Sequence, residues 1–121
     1  MKTEEKLQAL GKTAPRITPA DIEANITHEF YFTAEGGMQS ASAVEVWHRD
    51  EPEDTPLPGA LSLLTFCVLV LRNGFTVTGE SACASPENFD AEIGREIARE
   101  NAVRKIWPLM GYELRTKLAA A

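Results

Sequence analysis

LSLLTFCVLVLRNGFTVTGE, residues 61–80, reads as a strand, a tight turn and a returning strand. From Leu61 to Leu71 both alternating faces are apolar, with Phe66, Val68 and Val70 opposite Cys67, Leu69 and Leu71. A strand with one wet face alternates apolar and polar residues, so a strand apolar on both sides belongs in the middle of a sheet. Asn73-Gly74 supplies the positive-φ residues of a two-residue hairpin turn, which predicts that Phe75 to Glu80 returns antiparallel. Phe75 and Val77 then share one face, and Thr76 and Thr78 the other.

Upstream, Thr27 to Ala34 has strand periodicity, with Phe30 and Phe32 on one face, Tyr31 on the other, and Gly36-Gly37 to end it. Ala43 to Arg49 alternates Val44, Val46 and His48 against Glu45, Trp47 and Arg49, as a half-buried strand does. Asp50 to Gly59, rich in Pro and acids, reads as a surface loop. Before the first strand, Thr18-Pro19-Ala20-Asp21 is a helix start, a capping hydroxyl followed by Pro at the first helical position, for a short helix to about Asn25. Thr3 to Leu10 predicts a marginal helix within a flexible arm spanning residues 1–16.

Downstream, Ser85-Pro86-Glu87 opens a long helix, with Asn88 and Asp90 as competing caps. Pro108 disfavours helical geometry in the residue before it, which predicts an end near Trp107. Gly94, Ala98 and Ala102 recur at a spacing of four and form a flat ridge that lets the helix approach a sheet or another helix closely. Together these elements give one α+β domain over residues 17–118: an antiparallel sheet of about four strands, a long C-terminal helix packed on it and a short N-terminal helix.

At 121 residues, 44% hydrophobic and 25% charged, the chain has the composition of a single globular domain. Its longest apolar run is too short to cross a bilayer, and the charged start Met1 to Lys6 lacks the apolar core of an export signal, so the expected location is the cytoplasm, with no membrane partner. A net charge of −6 argues against long nucleic acids as partners. The charge is uneven: residues 93–121 hold six basic side chains against three acidic ones, a balance of +3 that leaves −9 on the first 92 residues. An acidic body with a basic C-terminal element suits a compact anion better than a long polyanion.

His28 and His48 have no second ligand at metal spacing, so no metal is expected. Cys67 and Cys83 form no disulfide framework, and Cys83, though just before a helix start, has no nearby base to make it a nucleophile. No catalytic residue, enzyme activity or cofactor follows. What remains is an anion site at the opening of the long helix, where Asn88 serves as cap or ligand donor and Phe89 as core residue or base-stacking ring. Arg95, Arg99, Arg104 and Lys105 reach a phosphate from this subunit or a paired one, and Phe75 is a second candidate ring. The same arginines also lie at helical spacing from Glu92, Glu96 and Glu100, as surface ion pairs do.

NGFTVTGESAC over residues 73–83, continued by PENFD at 86–90, Ile93-Gly94, ARENA at 98–102, Lys105 to Trp107 and Gly111-Tyr112, resembles a family of small phage and prophage proteins. It is the gene product forty-nine / gene sixty-six family, and the likeness spans roughly residues 17–114. Where that family often has Glu before Gly-Tyr, this chain has Met110. The resemblance implies a phage accessory protein and no particular activity. In size and element order the chain is also similar to the Thoeris anti-defence sponge proteins, which sequester cyclic ADP-ribose-like signals; this likeness is architectural. The expectation is a non-enzymatic, homo-oligomeric binding protein for a nucleotide-derived immune signal such as a cyclic ADP-ribose-like molecule or a cyclic oligonucleotide. The alternative is a protein-protein inhibitor of a host enzyme.

Overall fold

A computed structural model describes residues 3–11, 14–40 and 56–121. Elements follow in the order α1 (Thr3–Ala9), α2 (Pro19–Asn25), β1 (Ile26–Thr33), α3 (Ala34–Met38), β2 (Leu64–Leu71), β3 (Thr76–Ala82) and α4 (Ala91–Ala120), with 3₁₀ turns at Gly59–Leu63 and Pro86–Asn88. The architecture is α+β, and the described strands form a three-stranded antiparallel sheet in the order β1-β2-β3. The further strand expected at Ala43 to Arg49 and most of the Asp50 to Gly59 loop lie outside the described residues.

β2 occupies the centre, as its two apolar faces require. Thr65, Cys67, Leu69 and Leu71 point inward and are buried, and the outward Leu64, Phe66, Val68 and Val70 are half-buried. The hairpin differs from the sequence expectation by one residue. Pairing closes at Leu71 and Phe75 (Leu71 N–H to Phe75 C=O, 2.8 Å), so the turn holds Arg72, Asn73 and Gly74, with Gly74 at φ 87°. Cys67 therefore faces Gly79 rather than Glu80. This register buries Val77 and Gly79 under the helix and turns Thr76, Thr78 and Glu80 outward, while Phe75 stays exposed at the tip. Both cysteines are free thiols.

α2 begins as its sequence dictates: the Thr18 hydroxyl accepts from Asp21 N–H at 3.2 Å, and the Asp21 carboxylate accepts from Thr18 N–H at 2.9 Å. Its Ile22 is buried in the core. Gly36-Gly37 does not simply end β1. Thr33 caps a short helix, accepting from Gly36 N–H at 3.1 Å, and both glycines lie inside it. α1 buries no residue and is tied to the segment before α2 by an ion pair between Glu4 and Arg16.

α4 departs from expectation at both ends. It starts at Ala91, because Ser85-Pro86 opens only a 3₁₀ turn and Asp90, not Asn88, is the cap. It also runs past Trp107 and through Pro108 to Ala120. Proline removes one intrahelical donor and crowds the preceding turn. Packing on either side offsets this, since Ile106 is wholly buried and Met110 packs against the core. Gly111-Tyr112 is thereby helical.

The core joins Ile22, Cys67, Leu69, Leu71 and Val77 to Ala98, Ala102 and Ile106. The Gly94-Ala98-Ala102 ridge faces the sheet, and it meets the glycine of β3: a Cβ on Gly79 would lie 2.1 Å from the Ala98 carbonyl oxygen and 2.3 Å from the Ala102 nitrogen. Backbone packs on backbone there, which fixes the whole of α4 relative to the strands.

Candidate functional site

Where α4 begins, the chain makes a chain of local bonds that orient Phe89. Asn88 N–H donates to Ser85 C=O at 3.0 Å and Phe89 N–H to Pro86 C=O at 3.2 Å. Asp90 then caps the helix, its carboxylate accepting from Ile93 N–H at 3.1 Å. Phe89 ends half-buried with its ring close to Gly94, where a Cβ would stand 3.8 Å from the ring edge.

The Phe89 ring stands between two clefts. One, of about 280 Å³, runs from Leu63 and the Ser81 to Ala84 strand end past Asn88 to Ile93 and Ile97. The other, of about 90 Å³, lies between Phe89, Phe32, Thr33 and Thr65 and is bordered by Arg95. Arg95 makes no hydrogen bond or ion pair with any described residue, so its guanidinium is available at the rim. Asp90 satisfies part of the helix terminus from within, leaving the first-turn amides of Ala91 and Glu92 as orphan donors. The Asp90 carboxylate and nearby Glu87 and Glu92 set a limit on the negative charge that this end of α4 accepts.

Of the seven candidate residues, Phe89 lines both clefts, Asn88 only the larger one and Arg95 only the smaller one. Arg99, one turn further on, is engaged elsewhere. Its Nη1 and Nη2 donate to the two carboxylate oxygens of Glu23 at 3.0 and 2.7 Å, and its Nε donates to Glu29 at 2.7 Å. Hydrogen bonding to Glu23 raises the Arg99 pKa, and the same contact holds the Glu23 carboxyl below its ordinary value. Glu29 in turn accepts from the Tyr31 hydroxyl at 3.3 Å. Burial, with the Cys67 thiol and Glu29 beside it, pushes the Tyr31 phenol up to about 12. Burial likewise raises the Cys67 thiol.

Arg104 and Lys105 lie about 14 to 15 Å along the helix from Arg95. Arg104 donates to Asn101 Oδ1 at 2.8 Å, and Asn101 donates to the Glu80 carbonyl of β3 at 2.8 Å. Lys105 is exposed. Phe75 is at the hairpin tip beside Leu109 and Met110, about 20 Å along α4 from Arg95. The sequence reading missed the β1 residues, Phe32 and Thr33, that wall the Arg95 cleft, and the two glutamates that take Arg99. The only local hint was that Glu29 and Tyr31 share a strand face.

Among the described residues no three His, Cys, Asp or Glu side chains group to hold a metal ion. No described helix is long and apolar enough to cross a membrane. A family model described as "Phage protein (N4 Gp49/phage Sf6 gene 66) family" matches residues 17–118. No curated protein and no solved structure matches the chain.

Proposed function

This chain belongs to the phage protein (N4 Gp49/phage Sf6 gene 66) family, and we propose that it is a non-enzymatic binding protein that sequesters a compact, nucleotide-derived immune signal in the host cytoplasm. A cyclic ADP-ribose-like molecule or a cyclic oligonucleotide has the required chemistry: a flat base to lie against an aromatic ring and a phosphate oxygen to accept from a guanidinium. The observation that carries this reading is the Arg95 guanidinium, unpaired among the described residues, on the cleft that the Phe89 ring also lines. Asn88 supplies a carboxamide to the second cleft that this ring lines. The role is protective: binding lowers the free concentration of the signal by mass action and changes no covalent bond. Arg104 and Lys105, too far along α4 for a ligand in the Phe89 clefts, serve one held between copies of the chain, and we include a homo-oligomer in the proposal.

The test is mass spectrometry of small molecules released on denaturing the protein after exposure to lysate from defence-activated cells. A released nucleotide supports the reading, and its absence from the wild-type protein contradicts it.

A second reading rests on a different observation. The outward face of β1 carries Phe30, 55% exposed, stacked on His28 at 6.1 Å between ring centroids, and Phe32 against Phe66 at 5.4 Å. Aromatic surface of this kind suits a protein-protein interface, as inhibition of a host enzyme requires. A host enzyme recovered in stoichiometric complex, with no nucleotide, supports that reading instead.

A further inference from the structure

A larger cleft than either of those beside Phe89 is present elsewhere among the described residues. It lies at the other end of the molecule, between α2, the β2–β3 hairpin tip and the part of α4 beyond Pro108. Its volume is about 380 Å³, and Asp21, Asn25, Arg72, Asn73, Glu113 and Lys117 bring polar groups to it. A neighbouring hollow of about 210 Å³ shares Asn25, Asn73, Met110 and Glu113 with it and is walled by Phe75 and Leu109. Phe75 is 56% exposed and Leu109 41%, so the hollow presents an open apolar surface.

The polar groups are unequally committed. Asn25 Oδ1 accepts from Arg72 N–H at 3.1 Å and Asn73 Oδ1 from Phe75 N–H at 2.9 Å, which leaves both carboxamide NH₂ groups free to donate. Asp21 accepts from Thr18 N–H at 2.9 Å through one oxygen at its helix cap, so its other oxygen is also open. Glu113 accepts from Lys117 at 3.3 Å through one oxygen, so the other is open. The Arg72 guanidinium has no partner among the described residues. The Arg72 guanidinium and the two carboxamide donors that line the same cleft suit an oxyanion. The four charged side chains balance, so the cleft suits an anion of low charge rather than a polyphosphate. The open oxygen of Glu113 suits an amino group on the same ligand.

We propose that this cleft is a second ligand site, which takes a nucleoside monophosphate or a close analogue: phosphate on Arg72, Asn25 and Asn73, and the ring against Phe75 and Leu109. About 20 Å of helix separates it from Arg95, and it stands whether or not the Phe89 site binds a signal. Arg72 orients a ligand oxygen through charge-assisted donors, and the ring contact supplies selectivity over free phosphate.

The test is a ¹⁵N–¹H NMR titration of the full chain with adenosine monophosphate, inorganic phosphate and adenosine in separate arms. The monophosphate should shift the amides of Asn25, Arg72, Asn73 and Phe75, whether or not Asn88 and Phe89 also respond. Phosphate alone and adenosine alone should each bind more weakly. Arg72→Ala should weaken the monophosphate by about tenfold or more, and Phe75→Ala by about fivefold. Both side chains are exposed, so neither variant threatens the fold. Unaltered affinity in Arg72→Ala, shifts confined to Asn88 and Phe89, or phosphate binding as tight as the monophosphate would each overturn the proposal.

Discussion

Gly79 of β3 lies directly beneath Ala98 of α4, so close that a Cβ on Gly79 would fall 2.1 Å from the Ala98 carbonyl oxygen. That contact is between backbones, and no flexible side chain stands in the way to yield. Gly79→Ala must therefore lift the helix from the sheet or distort the strand. Overpacking costs typically about 1 to 3 kcal/mol, and a rigid backbone contact belongs at the upper end. Ala98→Leu, at a wholly buried position, should do comparable harm. Thermal or urea unfolding measures both; a Gly79→Ala protein as stable as wild type would mean the helix does not seat there.

A second prediction concerns Pro108. A proline inside a helix is about 3 kcal/mol less favourable than alanine. Because α4 continues through Pro108 to Ala120, Pro108→Ala should stabilise the protein, by about 1 to 3 kcal/mol, and should not reduce its helix content. Had the helix stopped at Trp107, the same substitution would leave unfolding unchanged, and equilibrium denaturation followed by circular dichroism separates the two results.

The Arg99 cluster predicts a pH dependence. The hydrogen bond from Arg99 holds the Glu23 carboxyl below its ordinary value of 4.5. A carboxylate with a lowered folded-state pKa gives stability that is complete above that ordinary value and lost as pH falls through the folded one. Glu23 is largely exposed, so the effect is modest. Glu23→Gln should lower stability near neutral pH and flatten its decline in acid below about pH 4.5. Denaturation midpoints measured across that range check it; an acid limb identical to that of the wild type would show that the pair contributes nothing.

Much of this fold is legible in local pattern. The two apolar faces of β2 place it centrally, Thr18-Pro19 fixes the start of α2, and the small-residue ridge of α4 announces close packing. Gly79 was equally readable, since a glycine inside a strand marks a close backbone approach. What local pattern does not contain is tertiary compensation. Nothing near Pro108 says that Ile106 and Met110 will hold the helix together across it. The Asn73-Gly74 pair signals a turn but not that Arg72 joins it, and that one residue shifts the pairing of Cys67 from Glu80 to Gly79.

The site was less legible for the same reason. Arg95 and Arg99 look alike in sequence, both on a basic helix among acids. Their difference comes from Glu29 and Glu23, which lie 70 and 76 positions away and reach Arg99 but not Arg95. Met110 shows the opposite case: it packs against the core, where an acid would have to be paired.

Arg95 is therefore the residue on which the proposed function turns, and calorimetry of the wild-type protein and Arg95→Ala against cyclic ADP-ribose isomers and cyclic di- and trinucleotides tests it most directly. A charge-assisted contact is worth roughly 1.5 to 3 kcal/mol, so Arg95→Ala should weaken the bound ligand by about ten- to a hundredfold while its unfolding stays that of the wild type. Phe89→Ala should weaken it further. Micromolar binding by the wild type with that loss is the predicted result; no binding of any of these ligands, or equal affinity in Arg95→Ala, would contradict the account.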